Sequence, residues 1–423
     1  MLQDLLLMQK REVESRLAEP YVVRDVGNRS YDHDLVNVVM GPRRAGKSFF
    51  AVHLAKTLGN FGYVNFDDER LVREKDYDAL VAAADAIYGN PRHLLLDEIQ
   101  NLPGWELLVN RLQRQGRRLL ITGSNAHLLS SDLATHLTGR HMQTVLFPFS
   151  FPEFLRAGRE PATAPEKLES LRSYAESGGY PEPLLKGVGR ADYLNTLLRS
   201  VLYKDIVVRH KIRSPQALDD LAAYLVSSVA RDYSLTRLTT LPGLSSVHTA
   251  EKYLKHLEEA LLFFSVSRFS RKVREQIRAN KKIYCVDNGV VTSAAFRTSL
   301  DRGRLYENLV AIHLQRRRLD GGLEFFFWKG PRNEEVDFVV KSGPQIVSLI
   351  QVTSDMSEPA TREREVRALL KAGQELECPN LLILSESDER EEDASWFAAE
   401  GRIKYVPLWK WLSEAADSQF GRG

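Results

Sequence analysis

The stretch Val36–Phe50, VNVVMGPRRAGKSFF, constrains the fold more than any other part of the chain. An apolar, β-prone run ends at Gly41, and residues 41–48 fit the pattern G-x-x-x-x-G-K-[ST] at every fixed position. The two glycines let the backbone turn so that its N–H groups point at phosphate oxygens, and the helix that follows aims its positive dipole end at the same anion. The spacing predicts an ATP-binding loop with Lys47 at the β- and γ-phosphates and Ser48 at Mg²⁺. The predicted contact residues are Gly41, Pro42, Arg43, Arg44, Ala45, Gly46, Lys47, Ser48 and Phe49.

A second segment, Pro91–Ile99, contains a leucine-rich strand that ends in Asp97 and Glu98. The carboxyl ends of parallel strands meet at one edge of a sheet, which is where ligands bind. We therefore expect Asp97 to hold Mg²⁺ through water and Glu98 to polarise the attacking water. This acidic pair predicts a hydrolase rather than a simple nucleotide binder.

Two further polar positions are candidates at the same edge. The strand Arg117–Asn125 ends in polar residues, so Ser124 or Asn125 is placed to sense the γ-phosphate, unless the polar residues only cap the strand. Arg140 follows a helical pattern and is a candidate arginine finger for this subunit or a neighbouring one. The alternative is that Arg140 only lies on a solvent-exposed face and has no role in the site.

Composition limits the class of protein. A chain of 423 residues is expected to hold about two to four domains. No apolar run approaches the ~18 residues of a membrane span, and the N-terminal segment lacks the plan of a signal peptide. Cys285 and Cys378 lack metal-ligand spacing, which favours a reducing cytoplasm. Because the net charge is only +2, a nucleic-acid surface must be a local patch.

Hydrophobic patterns divide the chain into regions. Short apolar strands alternate with helical patterns in residues 1–155, which predicts an α/β P-loop ATPase domain with a parallel sheet. Residues 156–210 read as a small helical lid, interrupted at Ser177–Pro181, SGGYP.

Residues 211–286 predict a winged helix, because three helical segments with a tight turn before the last one precede two strands. The last helix begins after Ser246 and would face a DNA groove, while the basic loop between the strands would be a wing that contacts phosphates. Winged helices also serve as protein–protein modules, and that alternative stays open. The candidate DNA contacts are His248, Thr249, Lys252 and Lys255 on the helix and Arg271, Lys272 and Arg274 in the wing.

Residues 287–423 have the layout of a PD-(D/E)xK nuclease core, which needs two carboxylates for a divalent metal and a lysine. Glu307 lies on a helix, Asp337 opens a strand, and Gln351 and Thr353 stand where the second carboxylate and the lysine belong. A glutamine carbonyl can still contact a metal, but a threonine cannot replace an ammonium. The pattern predicts an inactivated or weak nuclease with a vestigial metal site at Glu307, Asp337 and Gln351, unless Lys341 or a lysine from elsewhere compensates.

Together these motifs resemble a known family of prokaryotic AAA+-like ATPases, common in archaea, that carry a winged helix and a C-terminal restriction-endonuclease-like domain of unknown function. The matching segments are GPRRAGKS, YVNFDDERL, LLLDEIQNLPGWE, ITGSNAHLL, LTGR, SGGYP, KIYCVDNG, ENLVAIHL and EEVDFVV. The resemblance implies an ASCE/AAA+ P-loop fold, Mg-ATP hydrolysis at Lys47, Ser48, Asp97 and Glu98, oligomers such as a hexameric ring, and association with DNA. Family members often carry E-x-K at the third nuclease position, where this chain has Gln351 and Thr353.

The leading hypothesis is a DNA-associated ATPase motor that acts on duplex or branched DNA, with ATP and Mg²⁺ as cofactors and no membrane association. A second hypothesis is a nucleotide-switched regulator whose winged helix and C-terminal domain bind protein partners. A third is a metal-dependent nuclease coupled to the ATPase.

Overall fold

The computed structural model describes residues 2–26, 30–72, 74, 76–123, 139–244, 246–294 and 301–414. The chain divides into two units: unit 1 comprises residues 1–148 with 259–261, and unit 2 comprises residues 149–258 with 262–423. The last residues of the predicted 1–155 ATPase domain thus belong to unit 2. Among the described residues, no helix has both the length and the apolar character needed to cross a membrane.

Unit 1 is built on a five-stranded sheet in the order β2-β3-β4-β1-β5, and all four strand pairs are parallel. This arrangement confirms the predicted α/β P-loop fold. Its described elements are α1 (Leu2–Ala18), β1 (Val36–Met40), α2 (Lys47–Thr57), β2 (Phe61–Asn65), α3 (Glu69–Val72), α4 (Tyr77–Tyr88), β3 (His93–Asp97), α5 (Trp105–Arg114), β4 (Arg118–Gly123) and β5 (His141–Val145).

The N-terminal helix α1 belongs to the core of unit 1. Leu5 and Leu6 are buried in the same apolar cluster as residues of β1, β3 and β4. The side chain of Gln9 pairs with the backbone of Asn65, donating to its carbonyl (3.1 Å) and accepting from its N–H (3.0 Å). Because these two bonds satisfy the backbone at the end of β2, α1 is fixed to the sheet by polar and apolar contacts together.

Unit 2 begins with helices whose starts are set by capping. Ser150 accepts a hydrogen bond from the N–H of Glu153 (3.2 Å), and the Glu153 carboxylate accepts one from the N–H of Ser150 (2.7 Å), which is a capping box. The helices of this region are α6 (Phe151–Ala157), α7 (Ala164–Ser177), α8 (Pro181–Lys186) and α9 (Arg190–Ser200), and α9 continues into the π-helical segment Val201–Val208.

A small α/β region follows, with a three-stranded antiparallel sheet in the order β6-β8-β7. Its elements are α10 (Pro215–Ser227), β6 (Arg231–Tyr233), α11 (Leu235–Leu238), α12 (Val247–Glu259), β7 (Phe263–Ser267), α13 (Val273–Arg278) and β8 (Lys281–Cys285). The second of the three predicted helical segments is the short helix α11, one turn long, and the strand β6 precedes it. The basic segment between β7 and β8, which the sequence pattern predicts as a loop, contains helix α13.

The C-terminal region forms a six-stranded mixed sheet in the order β13-β14-β12-β11-β10-β9. The pairs β11–β12 and β12–β14 are parallel, and the other three are antiparallel. The elements are α14 (Asn288–Ala294), α15 (Arg302–Leu319), β9 (Glu324–Lys329), β10 (Glu335–Ser342), β11 (Gln345–Val352), α16 (Pro359–Leu376), β12 (Leu381–Ser385), β13 (Arg390–Trp396), β14 (Ala399–Pro407) and α17 (Leu408–Ser413).

Candidate nucleotide-binding site

The glycine-rich loop lies between the end of β1 and the start of α2, as the sequence predicts. Arg44 and Gly46 adopt left-handed backbone conformations (φ 65° and 91°), which turn the chain back on itself before α2 begins. A Cβ on Gly41 would lie 2.1 Å from the carbonyl oxygen of Leu146, so the loop can approach the end of β5 only with glycine at this position. Lys47 is buried, and its Nζ donates to the carbonyl of Pro42 (2.9 Å), across the loop.

Arg24 supports this loop from the segment between α1 and β1, a role that the sequence did not reveal. Its buried guanidinium donates to the carbonyl of Ala45 in the loop (2.9 Å) and to the carbonyl of Phe147 after β5 (2.5 Å). The planar, always charged guanidinium can satisfy two carbonyls from separate segments at once. Arg24 therefore joins the phosphate-binding loop to the chain that leaves the sheet.

Asp97 lies at the carboxyl end of β3 and contacts residues of both neighbouring strands. Its carboxylate accepts hydrogen bonds from the hydroxyls of Tyr63 on β2 (2.8 Å) and Thr122 on β4. Burial raises the pKa of Asp97 above its usual value, while the hydroxyls of Thr122, Tyr63 and Ser48 act in the opposite direction. A carboxylate among hydroxyl groups is a set of hard oxygen donors that fits Mg²⁺.

Glu98 follows Asp97 in a left-handed conformation (φ 50°, ψ 44°) that ends the strand. Its N–H donates to the Thr122 hydroxyl (3.0 Å), and its carboxylate accepts from the side-chain amide of Gln100 (2.5 Å). Thr122 thus contacts both acids of the pair. A polar residue at the end of the otherwise apolar strand β4 is the signal in the sequence that could have pointed to it.

Three further predicted residues remain to be placed. Ser124 and Asn125 lie outside the described residues. Arg140 is exposed directly before β5, and its carbonyl accepts from the N–H of Val36 (3.0 Å), at the amino end of β1. The phosphate-binding loop follows the carboxyl end of β1, so within its own subunit Arg140 lies at the opposite end of the sheet.

The predicted DNA-contact residues lie in unit 2. His248, Lys252 and Lys255 are exposed along α12 and Thr249 is half-buried, while Ser246 caps this helix by accepting from the N–H of Thr249 (3.1 Å). Arg271, Lys272 and Arg274 in the predicted wing are also exposed. The segment before these three residues is nevertheless attached to the C-terminal sheet, because the N–H of Phe269 donates to the carbonyl of Phe327 (2.6 Å) on β9.

The predicted vestigial metal ligands of the C-terminal region also come together. Glu307 on α15 and Asp337 on β10 are buried around the ammonium of Lys282 on β8. The side-chain oxygen of Gln351 accepts from the N–H of Asp337 (3.3 Å). Thr353 donates its hydroxyl to the carbonyl of Asp355 (3.0 Å), so it contributes to a turn.

Comparison with known proteins agrees with the nucleotide-site geometry. The profile of the AAA domain matches residues 33–155, which contain the phosphate-binding loop and the acidic pair. Profiles of two domains of unknown function, DUF8612 and DUF4143, match residues 168–301 and 302–411. Fold, site and profile together define the class of the protein as an AAA+-like P-loop ATPase.

The chain belongs to the same family as the uncharacterized protein MJ1544 of Methanocaldococcus jannaschii. The two are 31% identical over 396 residues, which cover 89% of this chain and 88% of that protein. An uncharacterized protein of Haemophilus influenzae is 28% identical over 351 residues, covering 77% of this chain and 84% of that protein.

Solved structures show weaker similarity. The Walker-type ATPase PABY2304 of Pyrococcus abyssi is 14% identical with a TM-score of 0.42, covering 68% of this chain and 94% of that chain. Cdc6p of Pyrobaculum aerophilum is 12% identical with a TM-score of 0.25, covering 66% of this chain and 97% of that chain. At TM-scores below 0.5, neither similarity defines a fold or a function for this chain.

Proposed function

We propose that this protein is a Mg²⁺-dependent ATP hydrolase that works with DNA as an oligomeric motor. The observation that carries the hydrolase proposal is the buried carboxylate of Asp97 at the carboxyl end of β3, in the same parallel sheet as β1, which the phosphate-binding loop follows. The loop that would hold the phosphates and the strand end that supplies the acids thus share one edge of the sheet, as ATP hydrolysis requires.

Each residue of the site has a proposed role. The loop from Gly41 to Gly46 holds the phosphates, Lys47 binds the β- and γ-phosphates, and Ser48 and Asp97 hold Mg²⁺. Mg²⁺ held by Ser48 and Asp97 would supply charge that neutralises the phosphate oxygens. Glu98 orients and polarises the attacking water. Asn125 senses the γ-phosphate, and Arg140 acts on the site of a neighbouring subunit, which makes hydrolysis depend on assembly.

The test is the steady-state ATPase rate with Mg²⁺ and with EDTA. We expect Lys47→Ala to abolish ATP binding and Glu98→Gln to bind ATP but to hydrolyse it at least ~100-fold more slowly. Glu69→Gln is the matched control, because Glu69 is exposed at the start of α3. A Glu98→Gln protein with the wild-type rate would show that the role of Glu98 is wrongly assigned.

The DNA part of the proposal is supported by the order of elements and by charge. The order α10-β6-α11-α12-β7-α13-β8 with an antiparallel three-stranded sheet has the layout of a winged helix with a helix inserted in the wing, which supports this assignment for residues 211–286. Exposed cations lie on the helix that would enter the groove and in the wing beside it. We further propose that residues 156–210 act as a lid and that residues 287–423 carry a nuclease-like fold.

The ATPase rate should therefore be measured again with single-stranded, duplex and branched DNA. Stimulation of several-fold by one form supports the motor and identifies its substrate. If the protein hydrolyses ATP but no form of DNA changes the rate, the DNA part of the proposal is wrong and the hydrolase part stands.

One observation favours the second candidate, a nucleotide-switched regulator that binds a protein. Val273 and Ile277, one turn apart on α13, are 68% and 72% exposed. Two exposed apolar side chains on one helix face suit a protein surface better than a phosphate backbone. Replacement of both by serine should leave DNA affinity unchanged under the motor proposal and should weaken partner binding under the regulator proposal.

A further inference from the structure

A buried lysine lies among the carboxylates of the C-terminal region. Lys282 on β8 is only 1% exposed. Its Nζ is 2.8 Å from Oε1 of Glu307, 3.2 Å from Oδ1 of Asp337 and 2.6 Å from Oε1 of Glu335. A divalent metal held by the predicted ligand set would need the same carboxylate oxygens. The ammonium of Lys282 is thus paired with the carboxylate oxygens that such a metal would bind.

Two further hydrogen bonds from the protein reach the carboxylates of Glu307 and Asp337. Tyr284, two residues after Lys282 and on the same face of β8, donates its hydroxyl to Oε1 of Glu307 (2.7 Å). The N–H of Val352 donates to Oδ2 of Asp337 (3.0 Å). These bonds fix both carboxylates in orientations that face the lysine.

Charge explains why the lysine stays in place. The buried ammonium of Lys282 lies within ion-pair distance of all three carboxylates, Glu307, Asp337 and Glu335. An uncompensated group of three buried or half-buried carboxylates would be strongly unfavourable. The ammonium is therefore part of the stability of the fold.

We propose that Lys282 is a built-in cation that replaces the divalent metal of a nuclease-like core, so that this core is closed and independent of metal. The hydroxyl of Thr353, at the position of the absent lysine, is bonded within its own turn, and the carboxylates of the predicted ligands Glu307 and Asp337 are buried away from a phosphodiester. The residues thus do not fit a metal-dependent nuclease. The site retains the electrostatics of a metal centre with a lysine in the place of the ion.

The test is metal rescue in the full-length protein, measured without nucleotide. We expect Lys282→Ala to lower the melting temperature by on the order of 10 °C, because it leaves buried carboxylates unpaired. Millimolar Mn²⁺ should restore most of this loss, and electron paramagnetic resonance should detect one additional bound Mn²⁺ per chain relative to wild type. The melting temperature of the wild type should be the same with Mn²⁺ and with EDTA.

Lys371→Ala is the matched control. Lys371 also pairs with a buried carboxylate, Glu334, and among the described residues with that carboxylate alone. This variant should lose stability without rescue by Mn²⁺, because a single carboxylate is a weak metal site. If Lys282→Ala cannot fold, Lys282→Met with Glu307→Gln lowers the uncompensated charge and should fold with little response to Mn²⁺.

Three results would overturn the proposal. The first is a rise of the wild-type melting temperature with Mn²⁺ that Asp337→Asn abolishes. The second is a folded Lys282→Ala protein that Mn²⁺ does not stabilise. The third is cleavage of plasmid DNA by the wild type with Mg²⁺ or Mn²⁺ that depends on Asp337. None of these results depends on ATP hydrolysis in unit 1, so the two proposals can fail separately.

Discussion

The N–H of Gly179 donates a hydrogen bond of 2.6 Å to Oδ2 of Asp287, which joins two segments 108 residues apart. The other carboxylate oxygen, Oδ1, accepts from the N–H of Gly289 (2.8 Å). The carbonyl of Gly179 in turn accepts from the N–H of Phe149 (2.6 Å). The break SGGYP that interrupts the helical pattern is thus the place where the first helices of unit 2 meet the strand β8 and helix α14.

We predict that Gly179→Ala severely destabilises the protein. The new Cβ would lie 2.2 Å from the carbonyl oxygen of Phe149 and 2.9 Å from its nitrogen, and backbone atoms at this junction cannot move aside easily. The expected loss in the free energy of unfolding is about 3 kcal/mol or more, measured by chemical denaturation. Gly322→Ala is the control, because its Cβ would meet only the carbonyl of Arg317 at 3.5 Å. Equal stability of the two variants would contradict the prediction.

Asp287 should make stability depend on pH in the acidic range. Burial raises its pKa from 3.8 to about 6 in the folded protein. The folded state therefore binds a proton more tightly than the unfolded state, and the free energy of unfolding falls as the pH rises from about 4 to about 6. The expected contribution over this window is about 3 kcal/mol. The measurement is the midpoint of urea unfolding as a function of pH. Asp287→Asn should remove most of the pH dependence in this window. If the variant keeps the wild-type pH dependence, other groups cause it.

Removal of the hydroxyl of Tyr63 should weaken Mg²⁺ binding during ATP hydrolysis. Tyr63→Phe deletes one donor to the buried Asp97 carboxylate, a charge-assisted bond of about 1.5–3 kcal/mol, so we expect about a tenfold higher Mg²⁺ concentration for half-maximal rate. Tyr88→Phe is the control, because the Tyr88 hydroxyl donates to the backbone carbonyl of Tyr63 (3.4 Å) and not to Asp97. If Tyr63→Phe leaves the Mg²⁺ titration unchanged, the proposed role of Asp97 in binding the metal is wrong.

Lys252 and Lys255 should contribute to the salt dependence of DNA binding. If both contact phosphates, the double alanine variant should reduce the slope of log affinity against log salt concentration by about 2. Fluorescence anisotropy with duplex DNA at several salt concentrations measures this slope. Lys404→Ala, at an exposed lysine of β14, is the control and should leave the slope unchanged. No change in the double variant would favour the protein-binding regulator.

The sequence alone predicts the positions of site residues that belong to one short motif with fixed spacing. The phosphate-binding loop and the acidic pair each lie within one short segment, so the positions of Lys47 and Asp97 follow from the sequence pattern. The positions of Tyr63 and Thr122 do not, because their contact with Asp97 depends on the sheet order, which places β2 and β4 on either side of β3. Hydrophobic patterns predict strands but not which strands are neighbours.

The same limit applies to the C-terminal carboxylates. The pattern of a nuclease core directs attention to Thr353, directly after the strand of Gln351, and to the nearby Lys341. Lys341 instead lies 3.5 Å from Glu324 on the neighbouring strand β9. The ammonium beside Glu307 and Asp337 comes from Lys282, a strand before α15. The local sequence indicates the buried lysine only by the alternation of a lysine with a tyrosine in an apolar strand. The partners of this lysine depend on tertiary packing.

Arg24 has a consequence for how this ATPase should be divided into fragments. The AAA profile begins at residue 33, after Arg24 and after all of α1. A fragment cut at that boundary would lose the guanidinium that fastens the phosphate-binding loop and would uncover the core that Leu5 and Leu6 close. The smallest independently folding nucleotide-binding part of this protein is therefore longer at its amino end than the family boundary suggests.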